Sequence, residues 1–315
     1  MKKIVVIGEI LVEIMADQIG EGFLNPLSLT GPFPSGAPAI FIDQVAKLGQ
    51  PCGIVSTVGY DDFGRLNVSR LKSDGVDISA ISEDPARPTG TAFVRYREDG
   101  SRDFIFNIEH AACGQVAMTE AAQTLFDSAD HLHVMGSSLS STTFTELNLH
   151  AVQSIKRRGG SVSFDPNLRK EMLEKDGMRQ AMHKLLGQTD LFLPSGDELT
   201  LLTDASSTDD ALAELFGKGV SAVVHKNGSK GAMYHDVKQS VTARAFPVDE
   251  IDPTGAGDCF GGAFTTYWLR GTDPTTALLR ACAAGALAVG KRGPMEGTSN
   301  ADDIDSFLKH HGELT

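Results

Sequence analysis

Short runs of β-branched and aliphatic residues recur along this chain, each closed by a glycine or polar turn and followed by helical spacing. Ile4-Val5-Val6-Ile7 ends at Gly8, and residues 37–48 then carry apolar positions 40, 41, 45 and 48 before the stop at Gly49. Such runs read as buried strands, and the spacing that follows as helices packed on them. Ile54 to Val58 and a helix from Phe63 to Ser73 repeat the unit. It returns as strands at 131–135, 161–165, 190–193 and 220–224, with helices at 143–158, 176–187 and 208–217. Alternation of this kind predicts an α/β fold with a central, mostly parallel sheet and helices on both faces, Rossmann-like in layering.

Two stretches break the rhythm. Thr91 to Arg97 and Asp103 to Phe106 are β-rich around an Asp99-Gly100 turn signal, and a second hairpin-like region runs from Ala232 to Val248. The first predicts a small β-sheet lid. Beyond residue 258 the chain reads as helical over 258–270, 274–290 and 301–310. No repeat or linker interrupts it, so the expectation is one α/β domain over 1–315, with lid segments near 10–30 and 89–107 inserted.

The 315 residues carry 41 acidic and 28 basic side chains, a net charge of −13, which argues against a nucleic-acid binder. Four widely spaced cysteines, Cys52, Cys113, Cys259 and Cys282, make no metal pattern and suit a reducing cytoplasm. The apolar start is interrupted by Glu9 and Glu13, too early for a membrane span or signal core.

The chemistry concentrates in Asp252-Pro253-Thr254-Gly255-Ala256-Gly257-Asp258, which opens directly into the apolar Cys259-Phe260-Gly261-Gly262-Ala263-Phe264. Unpaired N–H groups at a helix start attract anions, and small residues let a phosphate approach the backbone. Asp258 at the helix entry is placed to take a proton from a hydroxyl, although helix physics alone also favours an acid in a first turn. The chain has no GxxxxGK[ST] loop and no HRD and DFG pair, so neither a P-loop nucleotidase nor a protein kinase is indicated. His131-x-His133 reads as buried histidines, Trp268 as core, and Lys226 and Lys230 as turn lysines that either face solvent or touch phosphate.

Taken in order, these blocks resemble the ribokinase-like (PfkB) family of carbohydrate kinases. The resemblance rests on Gly8-Glu9 with Val12-Glu13, Ser35-Gly36-Ala37-Pro38-Ala39, Val58 to Gly64, Phe164 to Arg169, Lys226-Asn227-Gly228-x-x-Gly231 and Asp252 to Asp258. It implies a ribokinase fold and ATP-dependent phosphorylation of a sugar. Asp258 would be the base, with the amides of Gly255, Ala256 and Gly257 as the anion hole. Glu13, Gly36 and Arg169 would face the sugar, and Lys226, Gly228 and Gly231 the nucleotide. Glu198 would orient the waters of Mg²⁺. Asp252 and residues 293–299 would lie where some members hold a monovalent cation such as K⁺.

The chain departs from the family pattern at Glu13, where Asp is common, at Ser35, where Gly is common, and at Ser195, where Asn is usual and Asp197 offers a substitute. Its opening resembles the fructokinase and tagatose-kinase branch, which implies a ketohexose phosphorylated on its terminal hydroxyl. A 2-keto-3-deoxygluconate kinase is the alternative, with Arg95, Arg97 and Arg102 as candidate partners for an acid. A non-catalytic sugar-binding protein is the reading from another class. The β-rich lid edges lead us to expect a homodimer through the lid, and neither nucleic acid nor a membrane as partner.

Overall fold

The structure is a computed structural model; it describes residues 1–20, 22–99, 101–139, 141–168 and 177–314. Nine strands form the main sheet: β1 (Ile4–Ile7), β4 (Cys52–Gly59), β5 (Ile81–Asp84), β8 (His131–Met135), β9 (Ser161–Asp165), β10 (Leu191–Phe192), β11 (Ala222–Lys226), β12 (Ala232–His235) and β13 (Ser240–Ala243). Their order is β13-β12-β11-β10-β9-β8-β1-β4-β5, parallel from β11 through β5. Only β12 runs against the others, antiparallel to both β11 and β13, and β12 with β13 is the second hairpin read from the sequence. The strand at 81–84 and the helix α3 (Glu120–Ser128) were not expected: Ile81–Asp84 has too few apolar residues to stand out, being half-buried at the sheet edge.

Alternate residues of each strand feed opposite faces. Val5, Ile7, Leu132, Val134, Phe164 and Val223 pack under α3, α4 (Thr142–Arg157), α5 (Met178–Leu186), α6 (Glu198–Leu201) and α7 (Thr208–Gly217). Ile4, Val6, Leu191 and Val224 face the other layer, made of α1 (Ala37–Lys47), α2 (Asp62–Ser73), α8 (Ala256–Leu269), α9 (Pro274–Val289) and α10 (Ala301–His310). Helix α8 is buried continuously from Cys259 to Tyr267. It approaches α1 closely because Gly262 has no Cβ; a methyl there would sit 2.7 Å from the Phe41 carbonyl oxygen.

His131 and His133 are fully buried on this second face and bond to Ser161 and Ser163 across β8 and β9, while Phe41 stacks on His133 at 3.6 Å. Burial pushes the His131 imidazole down to about 3 and His133 well below its usual value, so both are neutral. The buried-histidine reading therefore holds. Trp268 packs edge-on to His131 at 6.1 Å.

A separate four-stranded sheet, β3 (Leu29–Ser35), β2 (Leu11–Ala16), β6 (Gly90–Tyr96) and β7 (Arg102–Asn107), forms the lid in the order β3-β2-β6-β7. Strands β2, β6 and β7 fall within the segments 10–30 and 89–107, whereas β3 runs past the first of them to Ser35; the parallel β2–β6 pair joins the two. Successive strands are added to one side of β1 as far as β5 and to its other side from β8 onward, and the crevice beyond the strand ends at such a switch in order is where α/β sheets bind ligands.

Candidate active site

At that switch a cleft of about 990 Å³ opens between the main sheet and the lid. Its floor holds the start of α8. Gly255 caps the helix with φ +83°, and a Cβ there would meet the Pro294 carbonyl oxygen at 2.5 Å. The first intrahelical bond is Cys259 N–H to the Gly255 carbonyl at 2.8 Å, and Ala256 N–H reaches Pro253 at 3.4 Å. Among the described residues the N–H groups of Gly255, Gly257 and Asp258 have no protein acceptor. A Cβ at Gly257 would find only Lys226 Nζ, 3.9 Å away. Free donors beside an open glycine face suit an anion; Asp258 N–H stands among them, whereas Ala256 N–H, expected in the set, is turned to Pro253.

Asp258 is half-buried on the cleft wall. Burial pushes its carboxyl well above the usual range; the charges of Asp165 and Glu9 add to this and Lys226 opposes it. A carboxylate raised in this way is a better proton acceptor than an exposed one.

Lys226 closes β11, where its N–H bonds to Pro194 at 2.8 Å, and its ammonium pairs with Asp165 at the end of β9. Both side chains are buried, so the reading of Lys226 as a solvent-facing turn lysine is replaced by a fixed cation in the cleft. Burial alone would lower its pKa, but the charges of Asp165, Glu198 and Asp258 outweigh that and raise it. Lys230 is exposed. Asp165 was visible in the sequence only as part of a block; its partnership needs β9 and β11 aligned through β10, with Lys226 two residues beyond the level of Asp165.

Glu198 lies behind this pair, with Oε1 accepting Leu168 N–H and Oε2 accepting Ser195 N–H, each at 2.6 Å. Burial, then the Asp165 charge, push its carboxyl up to about 7. It therefore ties two loops together. Ser195 lines the cleft, but Asp197 is exposed and stands away from it. Gly228 and Gly231 do not line the cleft: Gly228 turns the chain at φ +54°, and Gly231 packs on β13, where a Cβ would meet Ala243 O at 2.1 Å. Arg169 lies outside the described residues.

The cleft is also lined by Glu9, Glu13 and Glu109 with Ser35, Gly36 and Asn167. Ser137 and Ser138 donate to the two Glu9 oxygens at 3.0 and 2.7 Å, contacts that no sequence spacing announced. Gly36 has φ +112° and lies against the Glu9 carbonyl, where a Cβ would come within 2.4 Å.

Asp252 is buried below the helix start. Its Oδ1 accepts from Thr254 N–H at 3.0 Å and Tyr96 O–H at 2.7 Å, and its Oδ2 from Gly293 N–H at 3.0 Å. Loop 293–299 is thereby fixed to the anion site. Its far end is held by Gln44, whose side chain bonds both N–H and C=O of Ser299 at 3.0 and 2.7 Å. Arg70 donates to Met295 O at 2.7 Å, and Thr298 to Asp43 at 2.7 Å.

This chain is similar to several characterised and solved proteins. It is 31% identical to a 2-dehydro-3-deoxygluconokinase of Thermoproteus tenax, over 98% of this chain and 95% of that one. It is 30% identical to a fructokinase of Vibrio alginolyticus, over 87% and 91%. A ribokinase II candidate from E. coli, solved with ATP and Mg²⁺, superposes with a TM-score of 0.94 at 49% identity, over 99% of this chain and all of that one. The family model for pfkB family carbohydrate kinases matches residues 1–301. With that match and the geometry of the cleft, the chain belongs to the pfkB family of carbohydrate kinases and is an ATP-dependent sugar kinase.

Proposed function

We propose that the chain transfers the γ-phosphoryl group of ATP to the terminal hydroxyl of a neutral ketohexose, tagatose or fructose. The observation that carries this reading is the charge of the sugar end of the cleft. Glu9, Glu13 and Glu109 line it, whereas the only cations lining the cleft among the described residues are Arg102 and Lys226. Lys226 is already neutralised by Asp165, Arg102 is bonded to Thr254 beside the start of α8, and Arg95 and Arg97 pair with Asp103 instead of entering the cleft. Carboxylates accept hydrogen bonds from sugar hydroxyls and repel a substrate carboxylate. An acid such as 2-keto-3-deoxygluconate, the substrate named for the Thermoproteus relative, is the alternative.

In the proposed reaction Asp258 takes the proton of the attacking hydroxyl as its oxygen bonds to phosphorus. The bond from phosphorus to the bridging oxygen breaks, and its electron pair leaves on ADP. The Gly257 and Asp258 N–H groups and Lys226 face the charge spread over the phosphoryl oxygens, so positioning and electrostatics supply most of the acceleration.

The donor set suits Mg²⁺. Glu198 is held near neutrality by burial, so a nearby divalent ion would favour its charged form, and each oxygen keeps a lone pair beyond its amide bond. Glu198 and Asp165 would orient the ion's water shell, and the ion would neutralise phosphate charge. A monovalent cation, K⁺, would sit by loop 293–299, and a homodimer would form through the lid sheet, whose edge strand exposes Ile105. A monomeric mass at micromolar concentration would remove the dimer from this reading.

The test is ADP release over a sugar panel, with Asp258→Asn as the control. Tagatose or fructose should give a kcat/KM at least tenfold above 2-keto-3-deoxygluconate, a factor worth about 1.4 kcal/mol in the transition state. The opposite order would replace the ketohexose by the acid.

A further inference from the structure

Tyr96 and Arg102 are directly opposed across β6 and β7, so their side chains share one face of the lid. Both reach out of the lid into the segment before α8. Tyr96 O–H donates to Asp252, and Arg102 Nη1 donates to Thr254 Oγ1 at 2.6 Å. Thr254 immediately precedes Gly255, the cap of the anion site.

The three lid arginines are not alike. Arg95 and Arg97 share Asp103 as partner, but Arg102 has no carboxylate within ion-pair distance among the described residues. It lies 5.6 Å over the Phe104 ring and lines the cleft together with Gly255, Gly257 and Asp258. One of its five N–H donors is used by Thr254, which leaves a charged fork beside the phosphoryl site. An arginine with no counter-ion, anchored by a neutral hydroxyl one residue from free backbone amides, is a partner for the oxygens of a phosphoryl group.

We propose that Arg102 is a catalytic residue of the transfer, which the lid carries to the phosphoryl group in transit. The proposal rests on the kinase assignment and not on which sugar is used. Proton and electron flow are unchanged: Asp258 accepts the hydroxyl proton, ADP leaves with the electron pair, and the guanidinium gives up no proton. Arg102 adds positive charge and directed donors to the equatorial oxygens, where charge resides as the old bond breaks. The Thr254 and Tyr96–Asp252 bonds set its reach, so the guanidinium arrives only when the lid is seated.

The experiment uses whichever sugar the native enzyme turns over, so a wrong sugar assignment leaves it intact. Arg102→Gln keeps a donor for Thr254 and removes the charge. Its kcat should fall by roughly 10²- to 10³-fold with the KM values for sugar and ATP within about threefold. Arg102→Ala should lose at least as much and recover part of its rate in added methylguanidine, which a packing role would not allow. Arg97→Ala, at the partner of Asp103, serves as the control for the lid. If Arg102→Gln keeps kcat within about threefold, or raises only the sugar KM, Arg102 does not act on the phosphoryl group.

Discussion

Lys226 and Asp165 form a buried ion pair directly beneath the amides that open α8, so the one fixed ammonium on the cleft floor is neutralised before any nucleotide arrives. Such a pair holds position more than it adds stability, because both charges give up water. Its function is to keep Lys226 Nζ on the open side of Gly257.

Removing one partner should be worse than removing both. Lys226→Met leaves Asp165 buried and unpaired, a loss of about 3–5 kcal/mol of stability. Lys226→Met with Asp165→Asn should regain much of that in denaturant unfolding while remaining inactive.

The two glycines of the anion site should respond in opposite ways. Gly255→Ala places a methyl 2.5 Å from Pro294 O at φ +83° and should lower Tm, since positive φ alone costs about 1–2 kcal/mol. Gly257→Ala has room and gains helix propensity, so Tm should hold or rise. Its activity should nevertheless fall roughly tenfold or more, because the methyl occupies the approach of the phosphate.

The pH dependence of turnover follows from Asp258. Burial, then Asp165 and Glu9, raise its carboxyl, and as the proposed base it must be ionised to accept the proton. kcat should therefore fall as pH drops, along a limb displaced above the ordinary carboxylate range. Glu9→Gln removes one negative neighbour and should move that limb to lower pH in the pH–rate profile, besides weakening sugar binding.

Stability should carry a separate pH signature from Asp43. Burial pushes its carboxyl up to about 7 against the opposing charge of Arg70, and neighbouring Asp74 shares in holding the proton. Between about 4 and 7 the folded chain keeps a proton that the unfolded chain releases, so this group's contribution to stability falls as pH rises and levels off above 7. Asp43→Asn mimics the protonated form. Its Tm relative to the native protein should climb across that window and stay flat below it.

Much of this architecture was legible before any coordinates. The strands at Ile4–Ile7 and His131–Met135 and the helix from Ala37 announce themselves because strand burial and helical spacing are local properties. The turn at the start of α8 was legible for the same reason: Gly255, Gly257 and Asp258 are set by local backbone and a helix start. What the sequence hid is whatever depends on register between distant strands. Lys226 looked like a turn lysine because nothing nearby in the chain says that the end of β9 lies within reach of it. Arg102 looked like one of three equivalent lid charges because its target, Thr254, is 152 positions away. Gly231 was assigned to the nucleotide by motif, although its positive φ of +92° answers to the backbone of β13.

The Gln44 side chain, which bonds both polar groups of Ser299, has a consequence for how the enzyme comes apart. One amide from α1 completes the backbone pairing of a loop whose other end, at Gly293, hangs from Asp252. Loop 293–299 thus opens only when α1 does, and its amides should exchange with solvent as slowly as those of the first helix. Two segments some 250 positions apart are thereby tied together on either side of the turn that opens α8.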